Sequence, residues 1–382
     1  MIIYDKTTNK GVKSYMIKVK EFLKKEAVLV ISFLLAVASM FFVIPSAEYI
    51  EYIDFRTLAL LLCLMLVMAG LNALGVFRLL ADKLLSKTDS IRTLGLTLNL
   101  LCFFSSMLIT NDVALITFVP FTLIVLKLSD RMNKAILLVV LETVAANLGS
   151  MLTPIGNPQN LYLFSAFNME IGEFIGTVAP YAVLSLILIV ISSFLLGNEK
   201  ITVKAEESTP EINKAKILIY AGLFVLSLLT VFRVIPYPVT LAITLAAVIT
   251  ADRKTLLKAD YSLLLTFVFL FVFIGNLGRI EAVSAFLESV VSGREVPVGI
   301  AASQVFSNVP AALLLSGFTE NATALLVGVN LGGLGTLIAS MASLISFKLV
   351  AKESINSGRY LLVFTVVNII FLAVNIILWL VI

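Results

Sequence analysis

The sequence consists largely of apolar runs that recur from one end to the other, each long enough to cross a lipid bilayer as a helix. A hydrocarbon core about 30 Å thick requires roughly 20 residues at 1.5 Å of rise per residue. Of the 382 residues, 60% are hydrophobic and 14% are charged, and the mean hydropathy is +1.05. A soluble domain of this size needs more polar surface, so the sequence predicts an all-α polytopic membrane protein that contacts lipid.

The apolar runs predict helical spans of two kinds. Seven runs are uninterrupted: 27–45, 55–78, 174–196, 214–232, 236–251, 261–279 and 359–382. Two others, 133–165 and 321–347, are interrupted by Gly, Thr, Asn and Pro, and are predicted to be broken helices. A break releases main-chain groups that lipid cannot satisfy, so it is tolerated only where it lines a polar cavity.

Two further apolar stretches, 94–126 and 297–318, carry polar residues at their centres. The centres are Thr110-Asn111-Asp112 and Ser307-Asn308, which a simple span would bury at a high cost in free energy. Both stretches are therefore predicted to be re-entrant hairpins with polar tips.

The loop charges predict the topology. Lys residues in segment 1–26 place the N-terminus in the cytoplasm, and the alternation of loop charges that follows places the C-terminus outside, as in a bacterial plasma-membrane protein. Asp54 opens a span that runs inward, whereas Asp260 opens a similar span that runs outward. The sequence thus predicts two inverted repeats, 27–196 and 214–382, joined by a cytoplasmic linker over 197–213.

The repeat is also visible in the residues themselves. Segment 147–155, NLGSMLTPI, aligns without gaps with segment 330–338, NLGGLGTLI. A polar hairpin precedes each segment, so the parts have the same order in both halves. Paired broken helices and hairpins in inverted repeats build the central binding sites of many transporters, in which helix N-termini face anions and released carbonyls face cations.

Composition excludes several classes of function. The chain has no His, and its two Cys residues, Cys63 and Cys102, lie in apolar runs, so neither a metal centre, a bound cofactor nor a disulfide framework is expected. Ser150 or Ser307 would lack a base as enzymatic nucleophiles, so we predict no enzyme. The basic residues lie in loops beside spans, which indicates a lipid bilayer rather than nucleic acid as the partner.

The tip Thr110-Asn111-Asp112, the segment 146–160 and the segment 303–310 resemble the ion transporter superfamily. This superfamily includes arsenite permeases, NhaD-type sodium/proton antiporters and divalent-anion/sodium symporters related to citrate and dicarboxylate carriers. The resemblance implies a homodimer with a scaffold domain and a mobile domain that carries the hairpins in an elevator motion. Dicarboxylate members have Ser-Asn-Thr at both tips, and this chain departs from that pattern at Asp112 and Val309.

Together, the broken segments and the resemblance predict the site residues. Predicted substrate-binding residues are Thr110, Asn111, Thr153, Asn157, Ser307, Asn308 and Thr336. Predicted cation- or proton-coupling residues are Asp112, Glu142, Asn147, Gly149, Ser150, Asn330, Gly332 and Ser340. Sodium is expected at Asn111 with Asn147, and at Asn308 with Asn330, if it is the coupling ion.

The predicted function is secondary transport of a small anion, either a di- or tricarboxylate or an inorganic oxyanion. No Lys or Arg lies well inside a span, so helix ends must hold the anion, and a co-bound Na⁺ or H⁺ is expected. A carboxylate at bilayer depth costs about 2.5–3.5 kcal/mol unless it is protonated or paired, which makes Asp112 and Glu142 the candidates for coupling. A Na⁺/H⁺ antiporter and an arsenite efflux permease remain alternatives, and a channel is a third, less favoured class.

Overall fold

The computed structural model describes residues 26–77, 79, 88–201, 213–353 and 355–382. Regular structure in these residues is helical, apart from one isolated bridge between Ser90 and Lys200. Eight of the described helices are long and apolar enough to cross a membrane, which confirms the prediction of an all-α polytopic membrane protein. The predicted N-terminal segment 1–26 and linker 197–213 lie largely outside the described residues.

The α-helices of the described residues are numbered in chain order. They are α1 Ala27–Met40, α2 Phe55–Ala73, α3 Ile91–Ile109, α4 Asn111–Leu128, α5 Ala135–Ser150, α6 Pro158–Ala166, α7 Ile171–Ser193, α8 Lys214–Val231, α9 Tyr237–Ala251, α10 Tyr261–Gly278, α11 Glu281–Val291, α12 Glu295–Phe306, α13 Asn308–Ser316, α14 Ala322–Leu331, α15 Met341–Ala351 and α16 Ser357–Val381.

Every predicted apolar run overlaps at least one of these helices. The first predicted hairpin is α3 and α4, which meet at Thr110, and the second is α12 and α13, which meet at Ser307. The broken helices are α5 with α6 and α14 with α15. Helix α11 was not predicted, because its sequence is amphipathic rather than apolar along its whole length.

The chain divides into two compact units, and the smaller one comprises the described residues of Met1–Ile53 and Asp260–Ser284. Here α1 packs on α10. The Asn276 Nδ2 donates to the Ser39 hydroxyl (2.8 Å) and the Tyr49 hydroxyl (2.9 Å), which satisfies this amide nitrogen inside an apolar helix pair.

The larger unit, Asp54–Ala259 with Ala285–Ile382, contains both hairpins, both broken helices and every predicted site residue. In each half the first hairpin helix packs on the first part of the broken helix: α3 on α5, and α12 on α14. The second hairpin helix packs on the broken helix of the other half: α4 on α15, and α13 on α6. The halves therefore interlock through equivalent elements.

Close packing of α3 on α5 depends on Gly149, which was predicted as a coupling residue. A Cβ atom at this position would lie 2.1 Å from the main-chain carbonyl oxygen of Phe103. Main chain cannot swing aside as a side chain can, so the absence of a Cβ at Gly149 sets the distance between these two helices.

We expect Gly149→Ala to lower the thermal unfolding temperature of the purified protein by several degrees, because overpacking of this kind typically costs about 1–3 kcal/mol. Gly176→Ala in α7 is the matched control, since an added Cβ there meets no atom within 4 Å. Unfolding followed by intrinsic fluorescence would measure both variants. Equal behaviour of the two variants would show that Gly149 does not set the helix spacing.

Candidate functional site

The two hairpin tips have the same unusual backbone conformation. Thr110 has φ 72° and ψ 151°, and Ser307 has φ 73° and ψ 154°. Residues with side chains rarely adopt these angles, which cost about 1–3 kcal/mol each and persist where the surrounding structure enforces them. As a result, Asn111 and Asn308 each stand at the first position of a helix, where main-chain N–H groups have no partner within the helix.

The first tip is attached to both sides of the first break. The Asn111 amide donates to Oδ1 of Asn147 (3.0 Å), near the end of α5. The Asn111 main-chain N–H donates to the carbonyl of Gly156 (3.2 Å), just before α6. The predicted pair Asn111 and Asn147 is thus brought together and buried.

The broken helices exchange equivalent hydrogen bonds between the halves. Oδ1 of Asn147 accepts a bond from Ser340 Oγ (3.0 Å), and its Nδ2 donates to Ser343 Oγ (3.4 Å). In the other half, Oδ1 of Asn330 accepts from Asn157 Nδ2 (3.3 Å).

The fourth hydrogen bond between the two broken helices is donated by Asn330 Nδ2 to Asn160 Oδ1 (2.7 Å). In the register that places Asn147 over Asn330, Asn157 lies over Ser340 and Asn160 lies over Ser343. Each asparagine therefore contacts the N-cap residue and the third helical residue of the opposite half, which is the pattern expected of two copies related by an approximate twofold axis.

The second tip differs from the first. Oδ1 of Asn308 accepts only a 3.4 Å bond from Ser307 Oγ, and Nδ2 of Asn308 has no hydrogen-bond partner among the described residues. The side chain is 5% exposed, next to Gly333, where a Cβ would lie 3.1 Å from this nitrogen. Asn308 therefore keeps donor capacity that Asn111 has already used.

Several predicted polar atoms hold the site together. The hydroxyl of Thr153 donates to the carbonyl of Met107, and the hydroxyl of Thr336 donates to the equivalent carbonyl of Gln304 (3.4 Å). Each of these two bonds fastens a hairpin to the break beside it.

Two more predicted residues contribute to packing and to the network around the breaks. Ser150 Oγ donates to the carbonyl of Asn147 (2.9 Å) and accepts from Asn157 Nδ2 (3.2 Å). A Cβ on Gly332 would lie 2.5 Å from Ser303 Oγ, so this glycine permits close approach of α12.

The two predicted acids have different surroundings. Asp112 is partly exposed in the first turn of α4, and its main-chain N–H donates to Oδ1 of Asn111 (3.0 Å). Glu142 is fully buried in α5; its Oε1 accepts a hydrogen bond from Thr122, and its Oε2 has no hydrogen-bond partner in the described part of the chain. The repeat places Leu325 at the equivalent position, so Glu142 is specific to the first half.

Three contributing residues, Asn160, Ser343 and Gln304, were not among the predicted site residues, although Asn160 and Gln304 lie in the segments that carry the family resemblance. Extending the repeat alignment beyond residue 155 would have paired Asn160 with Ser343. Gln304 could not be predicted in this way, because it bonds main-chain carbonyls, which every residue has and which therefore give no sequence pattern.

The site is therefore a buried cluster of amides and hydroxyls at converging helix ends. The N-termini of α4, α6, α13 and α15 carry partial positive charge, and the C-termini of α3, α5, α12 and α14 carry partial negative charge. The buried polar side chains of the described residues include no Lys or Arg. Such a site is suited to an anion and a cation bound together, without a charged anchor for the anion.

Comparisons with known proteins agree with this architecture. A family model described as citrate transporter matches residues 18–326. The chain is 35% identical to the uncharacterized transporter MJ0456 of Methanocaldococcus jannaschii over 87% of this chain and 91% of that protein. It is 31% identical to the inner membrane protein YbiR of Escherichia coli, over 78% of this chain and 80% of YbiR.

Two more distant proteins are also similar to this chain. The silicon efflux transporter LSI3 of rice is 36% identical over 35% of this chain and 26% of LSI3. The crystal structure of the YdaH transporter of Alcanivorax borkumensis, described as having an unusual topology, matches with a TM-score of 0.54 and 16% identity, over 87% of this chain and 86% of that one. That likeness concerns the fold alone. The family match covers most of the chain and confirms the resemblance seen in its motifs: the protein is a membrane transporter that belongs to the citrate transporter family.

Proposed function

We propose that the protein is a secondary active transporter that moves a small anion together with a cation. The observation that carries this proposal is the convergence of helix N-termini and helix C-termini on one buried cluster of neutral polar side chains. Partial charges of both signs at one place favour two bound ions of opposite charge.

The anion is proposed to bind at the hairpin tips, where the N-termini of α4 and α13 carry partial positive charge and the amide nitrogen of Asn308 can donate hydrogen bonds. Each helix end contributes about half a charge, worth about 0.3–2 kcal/mol, so a carboxylate or an oxyanion is held without a formal cation. The family description makes citrate and related di- and tricarboxylates the first substrates to test.

The cation is proposed to be Na⁺ or H⁺, because a multiply charged anion exceeds what the helix ends alone can neutralise. Glu142 is the candidate for a proton, since a fully buried carboxyl group without a cationic partner is far more stable when it is protonated. Asp112 stays a second candidate at the first tip.

We further propose an elevator motion in a homodimer in the plasma membrane, with the N-terminus in the cytoplasm, the C-terminus outside and both hairpins re-entrant. The hydrogen bonds between the two broken helices join the halves of the site, so the hairpins and the breaks would move as one body.

Two other functions have a specific observation in their favour. The buried Glu142 suits a Na⁺/H⁺ antiporter, in which a carboxyl group exchanges the two ions. The chain is similar to a silicon efflux transporter, and the buried polar residues of the described ranges include no Lys or Arg. Both observations suit efflux of an uncharged oxyacid such as arsenous acid, the form that arsenite takes at neutral pH.

Purified protein in proteoliposomes separates these functions. Citrate, C4-dicarboxylates, sulfate, phosphate and arsenite would be tested for uptake under an inward Na⁺ gradient and, separately, an inward proton gradient. Saturable uptake of one anion under either gradient is expected. Sodium-driven movement of protons without any anion would establish the antiporter instead, and gradient-independent arsenite flux would establish the efflux permease.

We expect Asn308→Ala to raise the KM for the transported anion at least about tenfold. The variant loses one or two hydrogen bonds to a charged group, and each such bond contributes about 1.5–3 kcal/mol to the binding free energy. Asn368→Ala is the matched control: Asn368 is also buried, but the described structure shows it bonded to the carbonyl of Phe364 in its own helix. Initial uptake rates over a substrate series would measure both. An unchanged KM in Asn308→Ala would exclude the second tip from the binding site.

Glu142→Gln is expected to abolish uptake driven by a proton gradient while leaving exchange of internal for external anion intact, because Gln can accept the Thr122 bond but cannot carry a proton. Glu295→Gln is the control, since Glu295 is also buried but bonds Thr319 and the N–H of Gly293 at the start of α12. Normal proton-driven uptake by Glu142→Gln would assign this residue a structural role.

A further inference from the structure

Gln304, in the last turn of α12, is surrounded by main-chain groups of the second half. Its Nε2 lies 2.9 Å from the carbonyl oxygens of both Gly332 and Leu334, and 3.2 Å from that of Ile300. Its Oε1 accepts a bond from the N–H of Thr336 (2.9 Å). Both polar atoms of this side chain are thus engaged with main chain, and the nitrogen lies among three carbonyl oxygens.

The first half contains a similar arrangement that uses a different element. Nδ2 of Asn160, in α6, lies 3.3 Å from the carbonyl oxygen of Ser150 and 3.2 Å from those of Met151 and Thr153. The first break therefore directs three carbonyl oxygens at the amide nitrogen of Asn160. The second break directs two, those of Gly332 and Leu334, at the amide nitrogen of Gln304, and Ile300 of α12 supplies the third.

The loop of the second half is shaped around the glutamine. Gly335 has φ +111°, a conformation that favours glycine, and a Cβ there would lie 2.4 Å from Oε1 of Gln304. At the equivalent position in the first half, three residues before the tip, the chain has Met107, which has no amide. The close contact between the Gln304 side chain and the loop at Gly335 is thus specific to the second half.

Clusters of carbonyl oxygens at broken helices are the groups that bind alkali cations in membrane transporters. They also cannot be left without a partner inside a bilayer. An amide NH₂ group beside such oxygens supplies the partial positive charge that a bound cation would supply. Unlike an ion, the amide is part of the protein chain and cannot dissociate.

We propose that Gln304 and Asn160 are built-in substitutes for bound sodium, so that neither carbonyl cluster takes up Na⁺ during transport. This inference deepens the proposed function: if the protein is a cation-coupled anion transporter, coupling falls to the proton. The sodium sites expected beside Asn147 and Asn330 then do not form around these carbonyls.

Thermal unfolding of the full-length protein in NaCl, KCl and choline chloride at equal ionic strength tests the proposal. The wild-type protein is expected to unfold at the same temperature in all three salts. In choline chloride, the Gln304→Ala variant is expected to unfold at a temperature several degrees below that of the wild-type protein. In NaCl the difference is expected to be smaller, because the carbonyl oxygens that Gln304 no longer occupies can bind Na⁺. Met107→Ala is the control, expected to respond equally to the three salts.

Gln304→Glu provides an independent variant of nearly the same shape. Its carboxylate would face three carbonyl oxygens, so we expect its unfolding temperature to depend more strongly on Na⁺ than that of Gln304→Ala. A wild-type protein stabilised by Na⁺ over choline, or variants that lose stability without any gain from Na⁺, would overturn the proposal. These outcomes do not depend on transport, so a failure to find anion uptake would leave the sodium result standing.

Discussion

The structure depends on one constraint: main-chain groups released by a broken helix must find partners when lipid offers none. The chain meets this constraint with side-chain amides. Asn147 and Asn330 bond the opposite half, while Asn160 and Gln304 bond the carbonyls of the breaks. Each break is thus stabilised by contacts that also fix its position relative to the other elements of the site.

Near-symmetry at the breaks contrasts with asymmetry around them. Asn147 and Asn330 make equivalent contacts, yet the amide nitrogen of Asn111 bonds Asn147 while the amide nitrogen of Asn308 has no partner in the described structure. Glu142 also occurs in one half only. A symmetric framework with unequal tips lets the second tip offer an amide donor that the first tip has already used, so the two halves have different tasks at the site.

The sequence predicted the architecture well because that architecture rests on local chemistry. Gly, Thr and Asn inside apolar runs located the breaks at Asn147 and Asn330, and polar centres located the tips at Asn111 and Asn308. The contacts of Thr153, Thr336 and Gln304 could not be predicted, since their partners are main-chain carbonyls of other elements. Helix α11 was missed because its amphipathic pattern does not resemble a membrane span.

Electron cryomicroscopy of the protein in lipid nanodiscs with its transported anion would show directly whether the anion binds at the hairpin tips. We expect ligand density between the two hairpin tips, within hydrogen-bond distance of the Asn308 amide and the N-terminus of α13. Density elsewhere, with the contacts of Asn147 to Ser340 and of Asn330 to Asn157 undisturbed and the tips empty, would contradict it and leave the cluster a purely structural joint.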